Sequence, residues 1–258
     1  MTSLGSLVGS GRTIVAPGAT DALSAKLIEA HGFDCVYIGS YATAASRFGI
    51  PDTGLLSLDA LVEQARTVVQ AVKLPVIADA EGGFHEAREM WRTVQAFERA
   101  GVAAIHIEDH TGAGKHTSAP QTLRGAEETA ARIRAAVAAR ADPDFMIVAR
   151  SDSFWVARDL EDCIERLALY VEAGADMVFP TAVGPAELAE VRRRIGKPAM
   201  IVDMPGRTLE EHHGASIVLY YAFSTLVQFE ALSRALGEFR AGKRPDGQEA
   251  LENFLGYR

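Results

Sequence analysis

The chain has 258 residues, of which 48% are hydrophobic and 23% charged, with a formal net charge of −8. This composition is typical of a soluble globular protein, and the acidic balance without a lysine and arginine cluster argues against nucleic-acid binding. No apolar run approaches the ~20 residues of a membrane span, and the N-terminus, MTSLGSLVGSGRT, lacks the pattern of a secretory signal. Two cysteines form no disulfide framework, so we expect a cytoplasmic protein.

Apolar periodicity predicts strands and helices in strict alternation. The predicted strands are Thr13–Pro17, Cys35–Ser40, Val76–Glu81, Ala104–Asp109, Met146–Ser151, Met177–Thr181, Ala199–Met204 and Ser216–Tyr220. The amphipathic segments between them are Asp21–His31, Leu58–Val72, Ala87–Ala100, Ala126–Ala139, Leu160–Ala173, Pro185–Ile195 and Leu209–His213. Eight such units in a chain of this length favour a single-domain (β/α)8 TIM barrel over residues 1–258.

A doubly wound sheet is the competing fold. It requires a glycine-rich phosphate loop after the first strand, whereas Gly9-Ser10-Gly11 precedes that strand. Beyond the eighth strand, an apolar stripe predicts a helix over Phe223–Arg240, followed by a tail over residues 241–258. A closed barrel has no core left for an apolar tail, so we expect this segment to pack on a neighbouring subunit.

Carboxylates cluster where the third and fourth strands end. Asp79 and Glu81 lie two residues apart in PVIADAEGGFH, so in a strand both side chains project to the same face. Glu108 follows the next strand in AAIHIEDHTG. Acids after strands are often helix N-caps, but three at corresponding strand ends favour a shared site for Mg2+, with Mn2+ as a substitute.

Barrel enzymes place their active sites at the carboxyl ends of the strands, which makes the other strand ends candidates. The polar residues found there include Ser40, Tyr41, Arg150, Thr181 and Asp203. Arg150 offers a planar fork that can clamp a substrate carboxylate. Alternatively, it forms an ion pair with Glu108 or Asp152, and the sequence leaves both readings open.

Two loops are long enough to cover such a site. The first, Tyr41–Ser57, contains Asp52. The second, His110–Gly125, has the glycines and small residues of a mobile flap and carries Lys115 and His116 at its centre. These two side chains are candidates to donate protons or contact substrate, although a solvated loop lysine is the plainer interpretation.

Six motifs follow one another along the chain: PGATDALSAKLIEAHGF, GSYATAASRFGIPDTGLLSLD, VIADAEGGF, AAIHIEDHTG, DPDFMIVARSD and YVEAGADMVFP. Taken in order, they resemble the motifs of the isocitrate lyase/phosphoenolpyruvate mutase superfamily from Ala16 to about Arg240. The resemblance implies a barrel that binds Mg2+ and small 2-oxo or 2-hydroxy acids and breaks a C–C or P–C bond beside a carbonyl. It also implies a homotetramer with an exchanged C-terminal helix.

The resemblance further implies roles for individual residues. Asp79, Glu81 and Glu108 match metal-shell carboxylates with Asp52 nearby, and Arg150 matches an arginine that clamps substrate. Ser40 and Tyr41 match a backbone cradle for the substrate carboxylate.

The departures from the family pattern narrow the expected reaction. The flap lacks the cysteine of isocitrate-type lyases, Thr181 and Asp203 replace a glutamate and an asparagine, and Glu81 replaces an aspartate. We therefore expect C–C cleavage in a 2-oxo or 2-hydroxy diacid through an enolate that the metal stabilises, with oxaloacetate decarboxylation favoured. The alternatives are P–C cleavage of phosphonopyruvate, as a mutase or a hydrolase, and an inactive barrel that binds a metabolite.

Overall fold

The computed structural model describes residues 2–112, 115–203 and 214–257. The strands of this part of the chain are β1 (Ile14–Pro17), β2 (Val36–Ile38), β3 (Val76–Asp79), β4 (Ala104–Glu108), β5 (Met146–Ser151), β6 (Met177–Pro180), β7 (Met200–Val202) and β8 (Ile217–Tyr220). Its α-helices are α1 (Leu4–Gly9), α2 (Ala22–Ala30), α3 (Ser40–Thr43), α4 (Leu58–Ala71), α5 (Met90–Ala100), α6 (Ala126–Ala139), α7 (Ser153–Ala157), α8 (Leu160–Glu172), α9 (Pro185–Ile195), α10 (Phe223–Arg240) and α11 (Gln248–Leu255).

The strands form two parallel sheets. One has the order β2-β3-β4-β5-β6 and the other has the order β1-β8-β7. Isolated parallel bridges connect their edges, one between Gly18 and Tyr37 and the other between Val178 and Ala199. Parallel strands joined through helices bury both faces of a sheet. The prediction of a parallel α/β fold is thus confirmed.

Side chains along each strand alternate between two hydrophobic clusters, as the period of two requires. On β4, Ile105 and Ile107 face the cluster that contains the helices, whereas Ala104 belongs to an inner cluster. This inner cluster takes side chains from or directly beside all eight strands, and Leu4 and Leu7 of α1 join it. The cluster that contains the helix side chains holds the helices against the sheets. The inner cluster fills the space between the strands, and the carboxyl ends of the strands remain available for a site.

Several boundaries differ from the sequence-based prediction. The strand predicted to end at Ser40 ends at Ile38, and the segment predicted as a loop from Tyr41 begins with α3 and a π-helical turn over Ala44–Phe48. Helices α1 and α7 have six and five residues, too few to show helical periodicity in a sequence. The predicted helix Leu209–His213 lies outside the described residues.

Helix α10 is exposed along most of its length, and Ser224 is its one buried residue. Its large apolar side chains are largely open to solvent: Phe223, Leu226, Val227, Phe229, Leu232, Leu236 and Phe239. Helix α11, in the C-terminal tail, has no buried residue. Among the described helices, none combines the length and the apolar character needed to cross a membrane.

Candidate active site

The three predicted metal carboxylates converge in the structure. Asp79 is the last residue of β3 and Glu108 the last of β4, and both side chains are buried. Glu81 follows in the left-handed backbone region, with φ of 48°, and its N–H donates to Asp79 Oδ1 at 2.8 Å. One oxygen from each of the three residues lies within 4.8 Å of the others. The local turn after β3 therefore brings Glu81 back toward Asp79 and Glu108.

Lys115 of the flap occupies the centre of these carboxylates. Its Nζ lies 2.6 Å from Glu81 Oε2 and 2.9 Å from Glu108 Oε1, and only 1% of the side chain is exposed. The interpretation of a solvated loop lysine is wrong. Burial lowers the pKa of Lys115, but Glu108 and Glu81 outweigh burial and hold that pKa well above its usual value. Lys115 is accordingly a fixed cation in this arrangement.

Arg150 is engaged by protein carboxylates. Its Nε and Nη2 donate to the two oxygens of Asp152 at 2.7 and 3.0 Å, and Nη1 lies 3.1 Å from Glu108 Oε2. Nε also lies 3.1 Å from Thr181 Oγ1. Of the two readings of the sequence, the ion pair is the one that this structure contains. The side chain also lines a cavity that Asp79 borders, so it remains within reach of a substrate bound there.

The charges of the site are unbalanced. Five buried carboxylates surround it, against the two cations Lys115 and Arg150; the acids are Asp52, Asp79, Glu81, Glu108 and Asp152. Asp52 Oδ1 and Glu81 Oε1 are buried without a hydrogen-bond partner. Uncompensated buried anions are unfavourable, and an all-oxygen donor set is what hard divalent cations such as Mg2+ select. The residues present therefore fit a divalent metal ion held by Asp79, Glu81 and Glu108.

The same imbalance shows in the pKa values. Burial and the neighbouring Asp79 and Glu108 raise the pKa of Glu81 to about 8, although Lys115 opposes them. Burial also disfavours the charged form of Glu108, but Lys115 and Arg150 prevail and lower its pKa to about 2. Glu108 faces two cations and Glu81 faces one, and this difference separates the pKa values of the two acids.

A cavity of about 240 Å³ lies beside the carboxylates. Its polar lining residues include Ser40, Asp52, Asp79, Lys115, His116 and Arg150. The other lining residues are largely aromatic and aliphatic: Trp155, Phe179, Ala182, Val202, Leu219 and Tyr221. Tyr41, Thr181 and Asp203 also border this cavity, so the structure brings all the predicted substrate-binding residues together. Glu81 and Glu108 border a separate, polar cavity of about 190 Å³.

A polar chain connects the flap to Asp79. His116 Nε2 lies 3.6 Å from Asp52 Oδ2. Ser40 Oγ lies 3.1 Å from the same Asp52 oxygen and 2.9 Å from Asp79 Oδ2, and its single hydrogen serves one carboxylate at a time. Burial lowers the pKa of His116 despite the opposing charge of Asp52. A neutral imidazole at the cavity wall is able to accept a proton.

Sequence reasoning did not identify Tyr37 and His106. His106 precedes Glu108 by two residues on β4, so strand alternation places it on the same face as that acid. The spacing alone could therefore have placed His106 beside the acids. Its contact with Tyr37 could not be predicted in this way, because Tyr37 lies on a different strand, β2. The aromatic lining at Trp155 and Phe179 also emerges only from the tertiary fold.

Comparison with known proteins agrees with this architecture. Residues 4–239 match the model of the phosphoenolpyruvate phosphomutase family. The chain belongs to this family. It is 40% identical over 205 residues to 2,3-dimethylmalate lyase of Eubacterium barkeri, covering 79% of this chain and 68% of that protein. It is 36% identical over 242 residues to 2-methylisocitrate lyase of Salmonella typhimurium, covering 90% and 80%. The predicted superfamily is confirmed, and so is the prediction of a lyase.

Solved structures of this superfamily superpose closely on the chain. Phosphoenolpyruvate phosphomutase from Streptomyces platensis subsp. rosaceus gives a TM-score of 0.90 at 27% identity, covering 98% of this chain and 94% of that one. A phosphonopyruvate hydrolase in complex with oxalate and Mg2+ gives 0.85 at 27% identity, covering 97% and 92%. That complex joins a small dicarboxylate and a divalent cation in a similar fold.

Proposed function

We propose that this family member is a divalent-metal-dependent lyase that cleaves a C–C bond in a small 2-oxo or 2-hydroxy dicarboxylic acid. Decarboxylation of oxaloacetate is the reaction to test first. The observation that carries the proposal is the convergence of Asp79, Glu81 and Glu108, with oxygens within 4.8 Å, where Asp79 lines a cavity of about 240 Å³. The Mg2+ in the structure of phosphonopyruvate hydrolase supports the choice of metal, with Mn2+ as a substitute.

When bound, the cation supplies Lewis-acid polarisation of the carbonyl next to the breaking bond. In oxaloacetate decarboxylation, the bond from C3 to the departing carboxylate breaks and its electron pair moves toward the 2-oxo oxygen. The resulting enolate takes a proton from water at C3, so no strong protein acid is needed during cleavage. We assign Ser40, Tyr41 and Thr181, which border the cavity, to substrate positioning.

A 2-hydroxy acid requires a base to remove its hydroxyl proton. His116 is the best-placed candidate, because burial keeps its imidazole neutral and Asp52 lies 3.6 Å away to stabilise the imidazolium. Lys115 is poorly suited, since the acids around it hold its proton. We therefore assign proton transfer to His116 with Asp52, and charge compensation of the metal-free site to Lys115.

The charges of the cavity lining bear on the choice of substrate. Among the described residues, three acids line the cavity (Asp52, Asp79 and Asp203) against the two cations Lys115 and Arg150. Both cations already pair with protein carboxylates, so a third carboxylate on the substrate would meet no further counter-charge there. The proposal is therefore a diacid with an uncharged remainder rather than a tricarboxylic acid.

The test is a substrate panel run with purified protein. Oxaloacetate, alkyl-substituted malates, 2-methylisocitrate and phosphonopyruvate are each incubated with Mg2+, and pyruvate and inorganic phosphate are followed. We expect cleavage of a diacid that EDTA abolishes and Mg2+ or Mn2+ restores. Glu81→Gln should lose most of the activity, while Glu172→Gln, at an exposed position of α8, should retain it. Turnover that persists after complete metal removal would refute the proposal.

Phosphonopyruvate chemistry is the second candidate, because the family model and the similar structures include enzymes of this kind. Release of inorganic phosphate from phosphonopyruvate, or its conversion to phosphoenolpyruvate, would favour that assignment. Thermal stabilisation by one diacid without turnover of any would instead indicate a metabolite-binding barrel.

The fold proposal accompanying this function is a single-domain, closed (β/α)8 barrel. The bridges at Gly18 and Val178 join the edges of both sheets in parallel, as closure requires. The inner cluster contains side chains from or directly beside all eight strands, which also supports a closed barrel.

A further inference from the structure

Below Asp79, on the inner face of the strands, lies a tyrosine–histidine pair. Tyr37 Oη is 2.9 Å from His106 Nε2, and His106 Nδ1 is 3.6 Å from Asp79 Oδ1. His106 is fully buried, and its ring lies edge-on to Phe179 with centroids 5.3 Å apart. Asp79 and His106 are register partners in the pairing of β3 with β4, so the backbone fixes their separation.

The surroundings determine which nitrogen of His106 carries hydrogen. A neutral imidazole has one N–H, and burial disfavours the doubly protonated form. His106 Nδ1 is buried without a hydrogen-bond partner, and the Asp79 carboxylate, which can only accept hydrogen bonds, lies 3.6 Å from it. The tautomer that suits both neighbours therefore has hydrogen on Nδ1, facing Asp79. Nε2 then accepts the hydrogen of the Tyr37 hydroxyl.

Backbone packing holds Tyr37 in this pose. A methyl group built on Gly39 would lie 2.9 Å from Cε1 and 3.1 Å from the hydroxyl oxygen of Tyr37. Glycine at this position thus makes room for the phenol ring. The ring also stacks on His106 at 5.8 Å with an interplanar angle of 15°, and it borders the cavity.

We propose that His106 is a positioning residue that orients the Asp79 carboxylate for the metal ion, and that Tyr37 fixes His106 in the required tautomer. The inference rests on the proposed metal-dependent function. Of the two Asp79 oxygens, Oδ2 receives the Ser40 hydroxyl and backbone N–H, at 2.9 and 3.3 Å. Oδ1 receives the Glu81 N–H at 2.8 Å and faces His106. His106 is thus a third polar neighbour of Asp79, after Ser40 and Glu81, and it approaches the carboxylate from the adjacent strand β4.

The test separates the two nitrogens of the imidazole. In His106→Asn the amide nitrogen can replace Nδ1 toward Asp79, whereas in His106→Gln the amide reaches the position of Nε2 toward Tyr37. Mn2+ affinity is measured by calorimetry without substrate. We expect His106→Gln to weaken Mn2+ binding at least about tenfold, the usual loss when a group behind a metal ligand is removed. His106→Asn should stay within about threefold of wild type, and Tyr37→Phe should fall between them.

His31→Asn and His31→Gln, at an exposed position after α2, are the matched controls and should not change the affinity. Equal losses in both His106 variants would overturn the positioning role, because a merely structural histidine does not distinguish them. Should the His106 variants fail to fold, Tyr37→Phe decides alone, and unchanged Mn2+ affinity in it overturns the proposal. The readout needs no turnover: this pattern without cleavage of any substrate would refute the proposed function and leave the present inference standing.

Discussion

The guanidinium of Arg150 is shared between two buried acids, and this sharing determines what its replacement should do. Lysine keeps the charge but cannot match both oxygens of Asp152, which is fully buried. We expect Arg150→Lys to lower the free energy of unfolding by about 2 kcal/mol, the scale of a charge-assisted hydrogen bond. It should also weaken metal binding, because Glu108 loses its neighbour at 3.1 Å.

Denaturant unfolding and Mn2+ calorimetry of Arg150→Lys check both effects. Glu81→Gln is the comparison, since it removes a metal ligand and leaves the pair of Arg150 with Asp152 intact. Excess Mg2+ should restore activity to Glu81→Gln and leave Arg150→Lys impaired. If Arg150→Lys altered only KM for substrate, Arg150 would be a substrate clamp and not a structural partner of the acids.

Asp109 provides a pH-dependent prediction. Burial, followed by the charge of Asp152, raises its pKa to about 6, although Ser151 and Tyr170 donate hydrogen bonds to it at 2.9 and 3.0 Å. Because this pKa exceeds the unfolded value of about 3.9, the protonated acid favours folding. Its contribution is complete below about pH 4 and is lost as the pH rises through 6.

Asp109→Asn should therefore remove this part of the pH dependence. The free energy of unfolding of the wild type, minus that of the variant, should fall by about 2 kcal/mol between pH 4 and pH 7, because the pKa is shifted by about two units and the unfolded acid is already half ionised at pH 4. Urea unfolding at several pH values measures the difference. Asp246→Asn, at an exposed position in the tail, should show no such fall. Parallel curves for wild type and Asp109→Asn would contradict the assignment.

At the scale of an element, the flap is anchored by a charge that competes with the metal. The Lys115 ammonium and a divalent cation would use the same oxygens of Glu81 and Glu108. Lys115→Met removes the competitor and leaves the acids without their counter-ion. We expect Mn2+ affinity to rise at least about tenfold, since the two charge-assisted contacts are worth roughly 1.5–3 kcal/mol each.

Calorimetry with Mn2+ measures the affinity, and limited proteolysis reports on the flap. In the wild type, Mn2+ should increase cleavage within residues 110–125, because Lys115 leaves its pocket. Ser118→Ala, at an exposed position on the same flap, is the control and should behave as wild type. A decrease in Mn2+ affinity in Lys115→Met would show that the lysine assists metal binding.

The sequence predicts those features that depend on residues close together along the chain. Buried parallel strands appear as apolar runs, so all eight strands were located, and Asp79 with Glu81 followed from the period of two. The buried position of Lys115 between Glu81 and Glu108 was not predictable, because it depends on how the 16-residue flap folds over the ends of β3 and β4. Arg150 shows the same limit: its position after β5 was clear, but its choice of Asp152 depends on the turn into α7.

Helix α10 presents an exposed apolar surface that the described residues of the chain leave uncovered. We propose that it packs on a second copy of this chain within a homotetramer, in which the C-terminal helices are exchanged. In a (β/α)8 barrel the final helix normally covers the sheet, yet α10 buries only Ser224, while Leu23 and Leu27 of α2 are also exposed. The exposed apolar side chains of α2 in one copy and the exposed helix α10 of a second copy could therefore cover each other.

Phe229 and Leu232 are 71% and 60% exposed in the single chain. The double variant Phe229→Glu with Leu232→Glu should dissociate the assembly, because it would bury two charges in the apolar contact between chains. Sedimentation velocity measures the mass of the particle. Arg234→Ala changes a residue five positions after Phe229 and two after Leu232, so it lies on a different side of α10 from both and should leave the assembly intact. A wild-type chain that sediments as a monomer across the concentration range would refute the proposed tetramer.

The lysine seated among the acids also bears on how the protein is made. A nascent chain that needed a metal ion to neutralise Asp79, Glu81 and Glu108 would depend on metal supply in order to fold. Here Lys115 supplies an internal positive charge at the same place. Folding and metal loading therefore become separate events, and protein stripped by a chelator should stay folded and regain full activity when the ion is returned.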